Sequence, residues 1–201
     1  LRLSRGLGDV YKRQILSGCT TMKPTDFKNA TPQLVIEEYF AGETQAWGLF
    51  EDRFGTIRRQ FSVDIVGTWD GEFLTLDEKF VFEDGERDRR IWKIRKTGDK
   101  TYTGTADDVI GEATGRASGN ALNWRYQMDL KVGTSTLRVR FDDWMFLQPS
   151  GVLLNRARVT KFGIEIGTVT LAFMKNAATA ADQAHSNDWQ SAAAPKQAAN
   201  Q

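Results

Sequence analysis

Cysteine and histidine, the residues that most often act as nucleophiles, general bases and metal ligands, each occur once in this chain of 201 residues. The histidine, His185, lies in a terminal segment rich in Ala, Gln and Asn that has no apolar stripe. The remaining sequence therefore lacks the base that a serine or cysteine nucleophile needs, and it lacks the nitrogen and sulfur ligands of a zinc site. Carboxylates and arginines remain as the groups that could do chemistry, and we expect no catalytic residue, no cofactor and no metal.

The single cysteine ends the motif Leu16-Ser17-Gly18-Cys19, which has the form of a bacterial lipobox. Small residues before the cysteine allow a signal peptidase to bind an extended backbone, and the thiol then accepts a diacylglycerol. We predict that Cys19 is the lipid-attachment residue and the first residue of the mature chain. A free surface cysteine is the alternative.

The segment before this motif does not have the composition of an export signal. Only Ile15 and Leu16 are apolar just ahead of the small residues that precede the cysteine, and Tyr11-Lys12-Arg13-Gln14 is polar, whereas an export signal has about 7–15 apolar residues there. Residues 1–14 resemble translated sequencing-adaptor sequence. We therefore interpret 1–14 as a non-native or truncated leader and 15–19 as the remnant of the lipobox.

Adjacent acidic residues occur as the pairs Asp77-Glu78, Asp107-Asp108 and Asp142-Asp143. Neighbouring residues on a strand point to opposite faces, so each pair is expected to send one carboxylate inwards and one outwards. An inward carboxylate is expected to pair with an arginine. Two inward carboxylates from different strands, as in a glycosidase, are the catalytic alternative.

Arg156 and Arg158 share a face with Leu154 on a predicted strand. A buried arginine requires a carboxylate or a ligand, because an isolated buried charge is costly. We predict that an inward Arg156 or Arg158, together with Asp142 or Asp143, forms the polar end of a mostly apolar cavity that suits an amphiphile with an acidic head. An ion-pair network that only stabilises the fold is the alternative. The residues predicted to bind the ligand are Trp47, Arg53, Glu78, Trp92, Trp124, Tyr126, Asp142, Asp143, Trp144, Arg156 and Arg158.

Alternation of apolar and polar residues, the pattern of a β-strand, dominates residues 33–175. Turns rich in Gly, Asp and Asn separate the alternating segments. Residues 33–40 suit either a strand or a short helix. The predicted strands are 34–40, 45–53, 57–68, 72–82, 88–96, 101–106, 110–117, 121–130, 135–148, 152–162 and 164–174.

The short connections require neighbouring strands to pair antiparallel, and a meander of this length leaves exposed edges unless it closes. We predict an all-β fold over residues 33–175, an antiparallel up-and-down, lipocalin-like β-barrel of about ten strands, with a β-sandwich as the alternative. Residues 20–32 are predicted to form a polar tether; an ordered strap with Phe27 docked on the barrel is the alternative. Residues 176–201 are predicted to be a disordered tail.

Composition narrows the classes of partner. Residues 20–176 have a net charge of about −1, which is unlike the basic surface of a nucleic-acid-binding protein. No apolar run approaches the ~18 residues of a membrane-spanning helix. Six Trp and twelve Phe suit a large core or an apolar cavity.

Nine short motifs follow one another along the predicted barrel. They are Trp47-Gly48-Leu49-Phe50, Asp52-Arg53-Phe54-Gly55, Gly67-Thr68-Trp69-Asp70-Gly71, Leu76-Asp77-Glu78, Asp88-Arg89-Arg90, Thr105-Ala106-Asp107-Asp108, Asn123-Trp124-Arg125-Tyr126, Phe141-Asp142-Asp143-Trp144 and Asn155-Arg156-Ala157. Together and in this order they resemble an uncharacterised family of bacterial lipoproteins, defined only as a domain of unknown function. The resemblance covers Thr20 to Lys175 together with the lipobox cysteine. It implies an exported, lipid-anchored protein of Gram-negative bacteria with a lipocalin-type barrel, and it brings no established activity. Thr20 after the cysteine fits the rule for outer-membrane sorting in such families.

Together these observations predict a lipoprotein of the cell envelope, on the periplasmic face of the outer membrane, that binds or carries a lipid, a fatty acid or a similar amphiphile in a barrel cavity. Two other classes remain. One is an interaction lipoprotein with a filled barrel, and the other is a carboxylate-dependent enzyme that acts on lipids. An open cavity would distinguish the ligand-binding lipoprotein from the interaction lipoprotein. Inward carboxylates with raised pKa values beside that cavity would favour the enzyme.

Overall fold

A computed structural model describes residues 21–132 and 135–175 and shows ten strands that form one closed antiparallel barrel. A short α-helix, α1 (Ile36–Tyr39), precedes the strands. The strands are β1 (Gly42–Asp52), β2 (Ile57–Trp69), β3 (Phe73–Phe82), β4 (Arg87–Gly98), β5 (Thr101–Thr105), β6 (Ala113–Ser118), β7 (Ala121–Val132), β8 (Ser135–Leu147), β9 (Leu153–Lys161) and β10 (Ile164–Lys175).

Each strand pairs with the next strand of the chain, and the sheet closes where β1 pairs with β10. The closing ladder runs from the pair Thr44–Lys175 to the pair Asp52–Gly167. The ladder between β5 and β6 is much shorter and runs only from Thr101–Arg116 to Gly104–Ala113. The predicted up-and-down barrel of about ten strands is confirmed, and the β-sandwich alternative is excluded.

Helix α1 covers one end of the barrel, which we call the base. Ile36 and Phe40 are buried in the core, and the Tyr39 hydroxyl donates to the carbonyl oxygen of Phe173 at 3.1 Å. Burial alone would raise the pKa of Glu37, but hydrogen bonds from Lys96 (2.6 Å) and the Tyr102 hydroxyl (3.0 Å) outweigh burial and lower it. Residues 36–39 therefore take the helical alternative of the two that the sequence allowed, and they leave the opposite end as the mouth.

The extended tether predicted for residues 20–32 is wrong for the part that the structure describes. Residues Pro24–Phe27 form a 3₁₀-helix, and the Phe27 ring packs against Trp144 and Phe146 with centroid distances of 5.9 and 5.2 Å. The amide of Leu34 then donates to the carbonyl oxygen of Gly119 at 2.8 Å. Aromatic packing on two outward-facing rings outweighs the polar composition, so this segment is the ordered strap that was the alternative.

Three predicted segments lie outside the described residues: the leader 1–14, the lipobox remnant 15–19 with Cys19, and the tail 176–201. Within the described ranges, no helix is both long and apolar enough to cross a bilayer.

Replacing Gly67 by alanine tests the packing of α1 on the barrel. A Cβ at this position would lie 1.7 Å from the carbonyl oxygen of Phe40, a backbone atom that can move only with the helix. We expect Gly67→Ala to lower the free energy of unfolding by about 3 kcal/mol or more. Urea unfolding measures the change, with the exposed neighbour Thr68→Ala as the control expected to stay within about 0.5 kcal/mol. Equal stabilities for the two variants would contradict this packing.

Candidate functional site

The interior of the barrel contains a cavity of about 210 Å³ whose wall is mainly aromatic and aliphatic. Trp92 packs edge-on against Trp124 at 5.7 Å and against Tyr126 at 5.3 Å. Tyr126 in turn stacks on Phe141 at 4.9 Å with an interplanar angle of 2°. These rings are held by three different strands, so the barrel itself sets their spacing.

Two glycines make room for the largest of these rings. A Cβ at Gly104 would lie 2.8 Å from the indole of Trp124, and one at Gly115 would lie 2.3 Å from it. The indole therefore lies flat against β5 and β6, where any side chain would push it into the cavity.

A cluster of polar side chains interrupts the apolar wall on the β3–β4 side. Arg90 Nη2 donates to Asp108 Oδ2 at 2.7 Å, and Arg90 Nη1 lies 3.8 Å from Glu78 Oε2. Burial opposes the charge of Arg90, but the hydrogen bond to Asp108 and the charge of Glu78 outweigh burial and raise its pKa. The guanidinium is therefore charged and engaged by carboxylates before any ligand enters.

Two carboxyl groups of the cavity wall have strongly raised pKa values. Burial raises the pKa of Asp143 to about 8, and the neighbouring Asp142 adds to the shift, while Asn155 and Arg90 oppose it. Burial raises the pKa of Glu78 to about 7 against the attraction of Arg90. Burial also raises the pKa of Tyr126 well above its usual value. At neutral pH the wall therefore presents a neutral Asp143, a half-ionised Glu78 and a neutral phenol.

Two buried oxygen atoms of this wall have no hydrogen-bond partner among the described residues: Asp143 Oδ1 and Asn155 Oδ1. Both residues line the cavity, on the neighbouring strands β8 and β9. Buried polar atoms are nearly always paired, so these two mark a place where a hydrogen-bond donor from a bound molecule would be accepted.

Five of the residues predicted from the sequence line this cavity together: Glu78, Trp92, Trp124, Tyr126 and Asp143. They come from β3, β4, β7 and β8, which the closed sheet brings to one interior. Their assignment as ligand-binding residues stays a prediction.

The prediction that Arg156 or Arg158 points inwards is wrong. Strand β9 turns Leu153, Asn155 and Ala157 to the interior, so both arginines are exposed on the outer face. Arg158 pairs there with Glu165 at 3.2 Å.

Four further predicted residues also lie outside the cavity. Trp47 is 46% exposed on the outer face of β1, and Arg53 is exposed in the hairpin after it. Asp142 faces outwards and accepts from Arg125 at 3.0 Å. Trp144 faces outwards too and is buried only because Phe27 of the strap covers it.

Arg90 and Asn155 are cavity residues that the sequence analysis missed. Arg90 had a usable signal, because it shares the period-two face of Trp92 and Ile94. Asn155 had no such signal, since both faces of its segment mix apolar and polar residues. Within the described part of the chain, no group of three or more His, Cys, Asp or Glu residues is arranged to hold a metal ion.

Comparison with known proteins gives a family and a fold. The family model described as "Protein of unknown function (DUF3833)" matches residues 13–175. No curated protein matches the chain in sequence. Among solved structures, the S-type phycobiliprotein lyase CPES from Guillardia theta superposes with a TM-score of 0.51 and 8% identity, covering 71% of this chain and 92% of that one. At this identity the likeness concerns the fold, and it supports the predicted lipocalin-like barrel.

The raised pKa of Asp143 predicts that the ligand-free protein becomes less stable as pH rises from about 4 to about 8. Over this window the folded state keeps a proton on Asp143 that the unfolded chain has lost, so rising pH favours unfolding. The slope from this one group is at most ~1.4 kcal/mol per pH unit. Urea unfolding at several pH values should therefore show that the free energy of unfolding of Asp143→Asn falls less steeply with pH than that of the native protein. Near pH 8 the variant should be the more stable of the two.

Asp64→Asn is the matched control, because it removes an exposed carboxylate from the outer face of β2, away from Asp143, and should leave the slope as it is in the native protein. Glu78 contributes a slope of the same sign between its ordinary pKa and about 7, so some pH dependence remains in Asp143→Asn. Equal slopes for Asp143→Asn and the native protein would show that Asp143 is not held protonated.

Proposed function

We propose, for a chain that belongs to the DUF3833 family of proteins of unknown function, that the barrel binds a compact, mostly apolar small molecule carrying a hydrogen-bond donor. The match confirms the domain of unknown function expected from the ordered motifs, and the lipoprotein character of the family stays a prediction. The observation that carries the proposal is a cavity of about 210 Å³ with two unpartnered buried oxygens, Asp143 Oδ1 and Asn155 Oδ1, in an otherwise aromatic wall. Mostly apolar cavities with a few convergent polar groups are typical of small-molecule sites.

The size of the cavity constrains the ligand. Native cores rarely contain voids much larger than a water molecule, so a space of about 210 Å³ argues against the interaction lipoprotein with a filled barrel. It is nevertheless smaller than the ~300–1,000 Å³ usual for drug-sized ligands. A compact molecule or a single short chain fits this volume.

The charges of the site favour a neutral or basic polar group on the ligand. Among the described residues, Arg90 supplies the one guanidinium at the cavity, and it already pairs with Asp108 and lies beside Glu78. A carboxylate ligand would meet the partly ionised Glu78, and above about pH 8 the ionised Asp143 as well, and two carboxylates in a water-poor site repel each other. A fatty acid, the acidic amphiphile expected from the sequence, therefore suits this site less well than an alcohol or an amine.

We also propose that a lipid on Cys19 holds the protein on the periplasmic face of the outer membrane. The support is the lipobox-like motif and the residue that follows it, both read from the sequence. A binding barrel on a lipid anchor would work at the bilayer surface, where apolar molecules partition.

An enzyme that transfers protons is the second candidate. Glu78 and Asp143 have pKa values of about 7 and about 8 beside a cavity, which is the range that suits general acid and base groups at neutral pH. A bound molecule that is recovered chemically unchanged favours the binding protein, and a molecule recovered with a shifted bond or proton favours the enzyme.

A series of eight-carbon ligands tests the binding proposal. Octanol and octylamine should change the fluorescence of Trp92 and Trp124 as they fill the cavity. Octanoate at pH 8 should bind about tenfold or more weakly, because its charge meets the carboxyl groups of Glu78 and Asp143. Calorimetric titration checks the affinities independently.

The matched variants for this series are Ala157→Phe and Leu154→Phe. Ala157 lines the cavity, so a phenyl group there should fill it and abolish octanol binding. Leu154 lies on the same strand but is exposed on the outer face, so its replacement should leave binding intact. Equal octanol binding by both variants would place the ligand outside the barrel and sink the proposal.

Attachment of lipid is tested with the chain expressed behind a lipoprotein export leader. Labelled palmitate should enter the native protein, which should then sediment with outer membranes. Cys19→Ser removes the acceptor thiol, so it should carry no label and should be released from outer membranes by a high-salt wash that leaves the lipidated protein bound. Label on Cys19→Ser, or none on the native protein, would contradict the anchor.

A further inference from the structure

Two neighbouring hairpins at the mouth of the barrel each expose a phenylalanine. Phe54 lies in the β1–β2 connection and is 76% exposed, and Phe162 lies in the β9–β10 connection and is 92% exposed. The hairpins are side by side, because β1 pairs with β10 and the amide of Arg53 donates to the carbonyl oxygen of Ile166 at 3.1 Å. Ile57 and Ile164, also exposed, extend the same lip of the mouth. We call these four side chains the apolar lip.

The backbone conformation at Phe162 does not favour a phenylalanine at this position of the turn. Phe162 and Gly163 form a two-residue turn between Lys161 and Ile164, with φ angles of 51° and 80°. A turn with two positive φ angles favours Asn, Asp or Gly at its first position, and a bulky residue there is strained. A bulky residue that holds a strained backbone conformation while its ring is almost fully exposed indicates a role other than stabilising the fold.

Cations lie beside both rings. The Arg53 guanidinium is 4.6 Å from the centroid of Phe54, and Lys161 Nζ is 5.3 Å from the centroid of Phe162. Neither cation forms an ion pair among the described residues.

The acidic residues of these hairpins are largely neutralised. Asp52 pairs with Arg58 at 2.6 Å, and Glu165 pairs with Arg158 at 3.2 Å. Glu51 opposes the two remaining cations, Arg53 and Lys161. The rim of the apolar lip therefore carries a net positive charge.

The next hairpin around the mouth, on the β2 side of the apolar lip, has the reverse character. The β3–β4 connection carries Glu83, Asp84 and Glu86, of which Asp84 and Glu86 share the single guanidinium of Arg59. The mouth is thus apolar and basic on the β1–β10 side and acidic on the β3–β4 side. An anionic surface would attract the first side and repel the second.

We propose that the apolar lip inserts into the interface of a phospholipid bilayer that contains anionic lipids. Aromatic side chains on a hairpin tip favour the boundary between headgroups and acyl chains, and the flanking Arg53 and Lys161 can contact phosphate groups. The contact positions the mouth of the cavity against the membrane on one side only. This inference does not depend on what the cavity binds.

Vesicle binding by the full chain with Cys19→Ser, which cannot be lipidated, tests the lip alone. This protein should sediment with vesicles of phosphatidylcholine and phosphatidylglycerol in equal parts, more weakly with phosphatidylcholine alone, and less at high salt. Phe54→Ser or Phe162→Asn in this background should weaken binding by about tenfold, since each removes one inserted ring.

The variants separate a membrane role from a structural one. Phe162→Asn relieves the strained φ, so it should raise the Tm by roughly 2–4 °C while binding is lost. Val66→Ser and Leu154→Ser, which remove exposed apolar side chains from the outer wall, should bind vesicles normally.

Three outcomes would overturn the proposal. Unchanged vesicle binding by Phe162→Asn and Phe54→Ser would exclude the lip, and a lowered Tm for Phe162→Asn would give Phe162 a structural role. Concentration-dependent dimerisation that Phe162→Asn abolishes, seen by analytical ultracentrifugation, would make a second copy of this chain the occupant of the lip.

Discussion

Closure of the sheet by the β1–β10 ladder is the constraint on which the rest of the structure depends. A closed barrel has no free strand edge, and its alternating side chains face either one shared interior or the solvent. The ladder from Thr44–Lys175 to Asp52–Gly167 therefore gathers residues far apart in sequence around one cavity. It also places the hairpins of β1–β2 and β9–β10 side by side at the mouth.

The polar residues of the cavity wall, the pair Asp143 and Asn155 above all, form the cluster of the interior that the fold alone does not explain. A buried carboxyl that must stay neutral, such as Asp143, gives up the hydration it would have in the unfolded chain, and Asn155 leaves a carbonyl unpaired. Aliphatic residues of similar size would fill these positions without that cost. Local choices that conflict with stability are expected at functional sites, which is why this cluster rather than the aromatic wall identifies the site.

The sequence predicted the strands well because period two and short Gly-rich turns are local signals. All ten strands were anticipated to within a few residues, and 33–40 was left open between strand and helix. Which face turns inwards was harder, since β8 carries Phe141 and Met145 on one face and Trp144 and Phe146 on the other. The strap decides this case: Phe27 covers Trp144 and Phe146 from outside, a long-range contact that alternation cannot show. Closure of the barrel likewise places Arg156 on the outer face and Arg90 in the interior.

The short ladder between β5 and β6 has a consequence for local opening of the barrel wall. Free energy of local opening follows the number of backbone bonds and buried contacts that must be broken, so this wall separates most readily at that seam. The indole of Trp124 lies across the seam from inside, over Gly104 and Gly115. Transient parting there would hydrate the indole and admit water to the cavity through its flank, while the mouth and the helical base stay in place.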